Sequence, residues 1–201
     1  MASLKKFTDS AVVNLIRHIE RVTVNPSNKD IDTTRTEWNY TLSPDRGMSA
    51  YSYYLYRKSQ LYCFGRADVK TLAGWVVTAP SNLPVEQQQK FFHESYQFLE
   101  NRYRQENVVM AVVHHDENQP HLHFLFIPAV PDPKHGGEKI CANELITRAE
   151  LRDFHPALQK YLKSERIHAC VFNDTSSPHS AKNYKFERKF ESILRKGREE
   201  K

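Results

Sequence analysis

Hydrophobic and polar positions in this chain follow two periods, and the points where one gives way to the other mark out its elements. Residues 3–7 read as a short strand. Asp9 and Ser10 can cap a following helix, in which Val12, Val13, Leu15, Ile16 and Ile19 recur at helical spacing and place His18 and Arg21 near its end. Asn25, Pro26, Ser27 and Asn28 predict a turn. Residues 72–78 form a buried strand, and Pro84 opens a long helix to about Tyr103 with Phe91, Phe92, Tyr96, Phe98 and Leu99 inward. Two β-rich runs, 108–115 and 121–128, are joined by Asp116, Glu117, Asn118, Gln119 and Pro120, which predicts a hairpin. A helix over 148–165 and a basic helix over 184–198 complete an α+β pattern with a largely antiparallel sheet and flanking helices. No repeat, low-complexity tract or Gly/Ser linker divides the chain, so 1–201 reads as a single domain.

Composition narrows the picture only a little. No stretch of eighteen apolar residues is present and the N-terminal residues lack the apolar run of a signal peptide, so a cytoplasmic domain without membrane contact is expected. Cys63, Cys141 and Cys170 are an odd number without C-x-x-C spacing, which suggests neither a disulfide framework nor a cysteine zinc site. An excess of 29 Lys+Arg over 24 Asp+Glu gives a formal charge of +5 and favours polyanionic partners, though many proteins with no such partner carry as much. Lys185, Arg188 and Lys189 in the basic tail could lie along phosphate, and a solvated helix face is an equal alternative.

The chemistry concentrates in the hairpin. Residues two apart on a strand share a face, so His121 and His123 project together while Leu122 points away. Pairing across the loop brings either His114 or His115 opposite them, because cross-strand Cβ atoms lie about 5 Å apart. Parity alone leaves that choice open. Three imidazoles beside Asp116 and Glu117 favour a divalent metal over a chance cluster, and an open three-His site points to catalysis, because structural zinc sites usually close with four protein ligands. His114-x-Asp116 also matches the paired His and carboxylate of iron(II) oxygenases, but the distal His and cosubstrate Arg those enzymes require have no counterpart.

The segment His114-x-Asp116-Glu117-x-x-Pro120-His121-x-His123 resembles the metal motif of the Mob/Pre plasmid mobilisation relaxases, the MobV family. A second block, His18-Ile19-Glu20-Arg21 followed by Asn28-Lys29-Asp30-Ile31 and Asn39-Tyr40, is similar to that family's first motif and stands in the same order. The resemblance implies a relaxase fold that holds Mn2+ or Mg2+ on His114, His121 and His123 and nicks one strand of plasmid DNA, single-stranded or supercoiled, at an origin of transfer. It further implies His18 as nucleophile, Arg21 as a phosphate clamp, and Glu117 as a support that fixes the tautomer of a ligand imidazole. His115 then occupies a variable position.

Lys29, Arg57 and Lys58 are further candidate DNA contacts. The last two sit in the aromatic run 49–64, which reads either as a single-strand groove or as a helix with a core-facing aromatic side. Tyr40, followed by Tyr51, Tyr53, Tyr54 and Tyr56, is the rival nucleophile and would make the chain a rolling-circle replication initiator or transposase. A non-catalytic zinc-containing DNA-binding module is the reading from another class. The charged ending suggests a fragment of a longer relaxase whose remaining part mediates dimerisation.

Overall fold

The computed structural model describes residues 2–22 and 28–171. The expected turn at 25–28, apart from Asn28, the polar stretch 173–183 and the basic helix carrying Lys185, Arg188 and Lys189 lie outside these residues. Strand β1 (Ala2–Thr8) leads into helix α1 (Asp9–Ile19), a 3-10 helix (Thr33–Trp38), the short strand β2 (Tyr40–Thr41) and helix α2 (Ala50–Ser59). Strand β3 (Lys70–Thr78), helix α3 (Val85–Tyr103), strands β4 (Val108–His114) and β5 (His121–Phe126), the small hairpin β6 (Ala129–Pro131) and β7 (Glu138–Ile140), and helices α4 (Ala142–Leu145) and α5 (Arg148–Ser164) follow. The α+β expectation is met, with boundaries shifted by a residue or two.

Five strands form one antiparallel sheet in the order β1-β3-β5-β4-β2, which puts β5 in the middle. One face is covered by α3 and α5, whose Phe91, Phe92, Leu99, Phe154 and Leu158 meet Trp75, Val113, Leu122, Phe124 and Phe126. The other face carries α1 and α2: Val12, Leu15, Ile16, Ile19 and Tyr54 pack with Leu72, Met110 and Leu125. A strand covered on both sides is apolar throughout, and β5 meets this rule except at its two histidines.

Local chemistry sets the element ends. Thr8, not Asp9 or Ser10, stands at the N-cap position of α1, without a side-chain bond to the helix, and Asp9 binds Lys58 and the Tyr54 hydroxyl. Thr147 caps α5 by accepting from the Glu150 amide at 3.1 Å. Gly74 makes room for the side chain of its cross-strand partner, since a Cβ there would stand 2.6 Å from Leu125 Cδ2.

Candidate metal centre

The register of β4 and β5 decides what parity could not. His114 is paired with His121 and Val112 with His123, so His114, His121 and His123 share the face that looks toward α1. Their ring centroids are 4.8 to 5.3 Å apart, and all three are buried. His115 turns to the opposite face, where it stacks on Tyr40 at 5.8 Å and meets Phe92 edge-on.

Hydrogen bonding prepares His121 as a ligand. A carbonyl only accepts, so the contact of its Nδ1 with Gln119 O at 2.8 Å holds the proton on Nδ1 and leaves the Nε2 lone pair inward, 3.0 Å from His123 Nε2. Burial holds the imidazoles of His121 and His123 below their ordinary pKa, and at His123 the charges of His121 and His114 add to it. Both are therefore neutral bases near pH 7, the form that binds metal. His114 is also held neutral, by burial first and then by His121 and Arg21. Its Nε2 lies 2.9 Å from Ile19 O and its Nδ1 2.9 Å from Arg21 Nη2. One ring nitrogen from each of the three histidines lies within 4.8 Å of the others, a spacing that would suit a single divalent ion.

Arg21 joins this centre to the end of α1. Just past the helix it adopts a left-handed backbone (φ 56°), which turns its side chain into the site. Its Nε and Nη2 donate to the two oxygens of Asp116 at 2.8 Å each, Nη2 donates to Glu117 Oε1 at 2.7 Å, and Nη1 donates to His18 O at 3.2 Å. Most of this guanidinium is therefore engaged by two carboxylates. Glu117 acts on His121 through its charge, which favours the positive imidazole. It also accepts from Arg21, while the group at His121 Nδ1 is Gln119 O.

Asp116 is fully buried and accepts in addition from Thr36 Oγ1 and Asn39 Nδ2. Burial alone would raise its pKa, but the bonds from Arg21 and Asn39 outweigh that and hold it well below the usual carboxylate range. Asn39, whose Oδ1 accepts from the His115 amide, was missed as a site residue although it stands inside the quoted Asn39-Tyr40 pair. Nothing in sequence alone places it against a loop some eighty residues away.

His18 lies on the last turn of α1, within electrostatic reach of Glu117, His121 and Asp116. Burial, then the charge of Arg21, lowers its pKa to about 4. The tyrosines are placed differently. Tyr40 pairs with Val113, so its side chain is on the α3 face, across the sheet from the three histidines, and burial raises its pKa. Tyr53 and Tyr54 are buried under α2, where their hydroxyls bond Glu106 O and the Asp9 and Thr71 side chains. Arg57, expected at DNA, is buried between Asn107 and Glu138 at the other end of β4, and Lys58 pairs with Asp9. The core-facing alternative thus fits α2 in part, since Tyr51 and Tyr56 remain exposed. Lys29 is exposed close to the 3-10 helix.

An antiparallel sheet covered by helices on both faces, with three imidazoles converging on its middle strands beside a buried arginine–carboxylate cluster, is the architecture of a relaxase domain. The solved MobM relaxase domain, bound to plasmid pMV158 origin-of-transfer DNA and manganese, superposes with a TM-score of 0.73 at 25% identity, over 89% of this chain and 93% of that one. The family described as plasmid recombination enzyme (Mob_Pre) matches residues 1–170, and the chain belongs to that family. Curated plasmid recombination enzymes from Lactiplantibacillus plantarum and Bacillus thuringiensis are 28% identical over 170 residues and 31% identical over 153, covering 81% and 74% of this chain. The chain spans only 46% and 33% of the length of these two relatives. Among the described residues no helix is long and apolar enough to cross a membrane.

Proposed function

We propose that this chain is the nicking and joining domain of a plasmid mobilisation relaxase, acting on one DNA strand at an origin of transfer with His18 as nucleophile. The observation that supports it best is the convergence of His18, through Arg21, on the face that carries His114, His121 and His123. These three residues would hold Mn2+ or Mg2+. The bound ion would neutralise charge on the non-bridging phosphate oxygens.

The chain's own residues account for the rest. Because His18 is neutral down to about pH 4, a ring nitrogen keeps its lone pair at working pH. That lone pair forms an N–P bond as the bond from phosphorus to the 3′ oxygen breaks. The oxygen leaves as a 3′ hydroxyl with a proton from solvent, and the ring keeps its other N–H proton, so it carries the phosphoryl group as a cation. Glu117, whose charge favours a positive imidazole at His18, stabilises the ring while it carries the phosphoryl group. The phosphoramidate stays activated, so attack by a 3′ hydroxyl reverses the step and rejoins the strand without an outside energy source. Tyr40 is a poor rival, being across the sheet with a raised pKa.

The test is to trap the protein on an oligonucleotide spanning the nick and map the modified peptide in wild type, His18→Ala and Tyr40→Phe. An acid-labile adduct on His18 that persists in Tyr40→Phe is expected. Normal adduct yield from His18→Ala would falsify this assignment.

A further inference from the structure

We propose that Trp38 is a stacking platform that grips an unpaired nucleobase beside the scissile phosphate, an inference that rests on the single-strand reading above. Trp38 is 57% exposed, the largest relative exposure of any aromatic residue among those described as large and exposed. A single exposed apolar side chain needs no partner of its own, and what sets Trp38 apart is its mount.

That mount is rigid and adjacent to the metal centre. Trp38 ends the 3-10 helix Thr33–Trp38, whose first turn is held by Asp32 accepting from the Thr34 amide. Five bonds tie this segment to the metal-motif loop: the Asp32 amide to Asp116 O at 2.7 Å, Thr36 Oγ1 and Asn39 Nδ2 to Asp116 Oδ2, Arg35 Nη2 to Glu117 O, and the His115 amide to Asn39 Oδ1. Side chains three apart on a 3-10 helix eclipse, so Trp38 lies one turn beyond Arg35 on the row that reaches Glu117. The Asp116 carboxylate, which accepts from Arg21, also accepts from Thr36 and Asn39 and so orders the support of Trp38. A flat aromatic on a fixed mount beside a phosphodiester site suits a nucleobase, because every base has a π-face and stacking tolerates any sequence.

The chain has two tryptophans, and the other is silent to solvent: Trp75 is 2% exposed, donates to Tyr103 Oη at 2.9 Å and stacks on Phe154. Intrinsic fluorescence therefore reads Trp38 directly. A mixed-sequence DNA single strand, added at low salt without metal, should quench the red-shifted emission of Trp38. An abasic strand of equal length, which keeps the phosphates, should bind more weakly and leave the emission unchanged. Trp38→Ala should weaken binding to the normal strand roughly 10- to 100-fold and bind the abasic strand as wild type does, while Trp38→Phe recovers part of the loss. Equal affinity of Trp38→Ala and wild type for the normal strand, or equal quenching by the abasic strand, overturns the stacking role and leaves the relaxase reading standing. Failure of wild type to bind either strand overturns both.

Discussion

His115 and His114 are neighbours in sequence and opposites in role, because a strand sends successive side chains to opposite faces. The first packs on Tyr40 and Phe92; the second faces His121 and His123. We expect His123→Ala to lose Mn2+ affinity by more than the roughly 10–100-fold that removal of a mere supporting partner costs, and His115→Ala to stay close to wild type. Isothermal titration with Mn2+ measures both, and loss of metal by His115→Ala with retention by His114→Ala would refute the face assignment. A cluster of three histidines was legible in sequence as a spacing. The choice of His114 over His115 was not, because it depends on a strand register that hairpin sequence constrains only loosely. Arg21 shows the same limit: its place one turn from His18 could be read, whereas its partners, Asp116 and Glu117, lie 95 and 96 residues further along.

At the scale of elements, the strands and long helices followed from periodicity because each buries one consistent face. The β6–β7 hairpin, α4 and the 3-10 helix escaped that reading, being too short to show a period, although Gly136 and Gly137, both at positive φ, mark the β6–β7 turn. This small hairpin is tied to α2 by Glu138, which accepts from Arg57 at 2.7 Å and also pairs with Arg104. Burial would raise the Glu138 pKa, yet the bonds and charges of Arg104 and Arg57 prevail and hold it below its ordinary value. Its contribution to stability is therefore fully present above the unfolded carboxylate pKa of about 4.3 and is lost as pH falls through the lowered folded value. Glu138→Gln should lower the melting temperature at pH 7 by roughly 2–4 °C, a modest shift because solvent screens the pair. The gap should close in acid. Thermal scans from pH 7 to pH 3 decide it, and a gap that widens in acid contradicts the ion-pair account.

The whole molecule places its chemistry at one end of a sheet and its net positive charge in reserve. If the domain tracks a DNA backbone, affinity must fall linearly with salt on a logarithmic scale, with a slope near −0.7 per phosphate contacted on a single strand. Replacing Lys185, Arg188 and Lys189 together by Ala should reduce that slope by up to about 2 units, and an unchanged slope would assign the segment to solvent instead. The long separation between Arg21 and its carboxylates also has a consequence for synthesis. Ribosomes add about 5–20 residues per second, so Arg21 is made roughly 5–20 s before Asp116 and Glu117. Through that interval Leu15, Ile16 and Ile19 on α1 also lack Met110 and Leu125 to pack against. The nascent chain therefore cannot gather its three clustered histidines until β5 is complete, and α1, made early, waits for strands made much later.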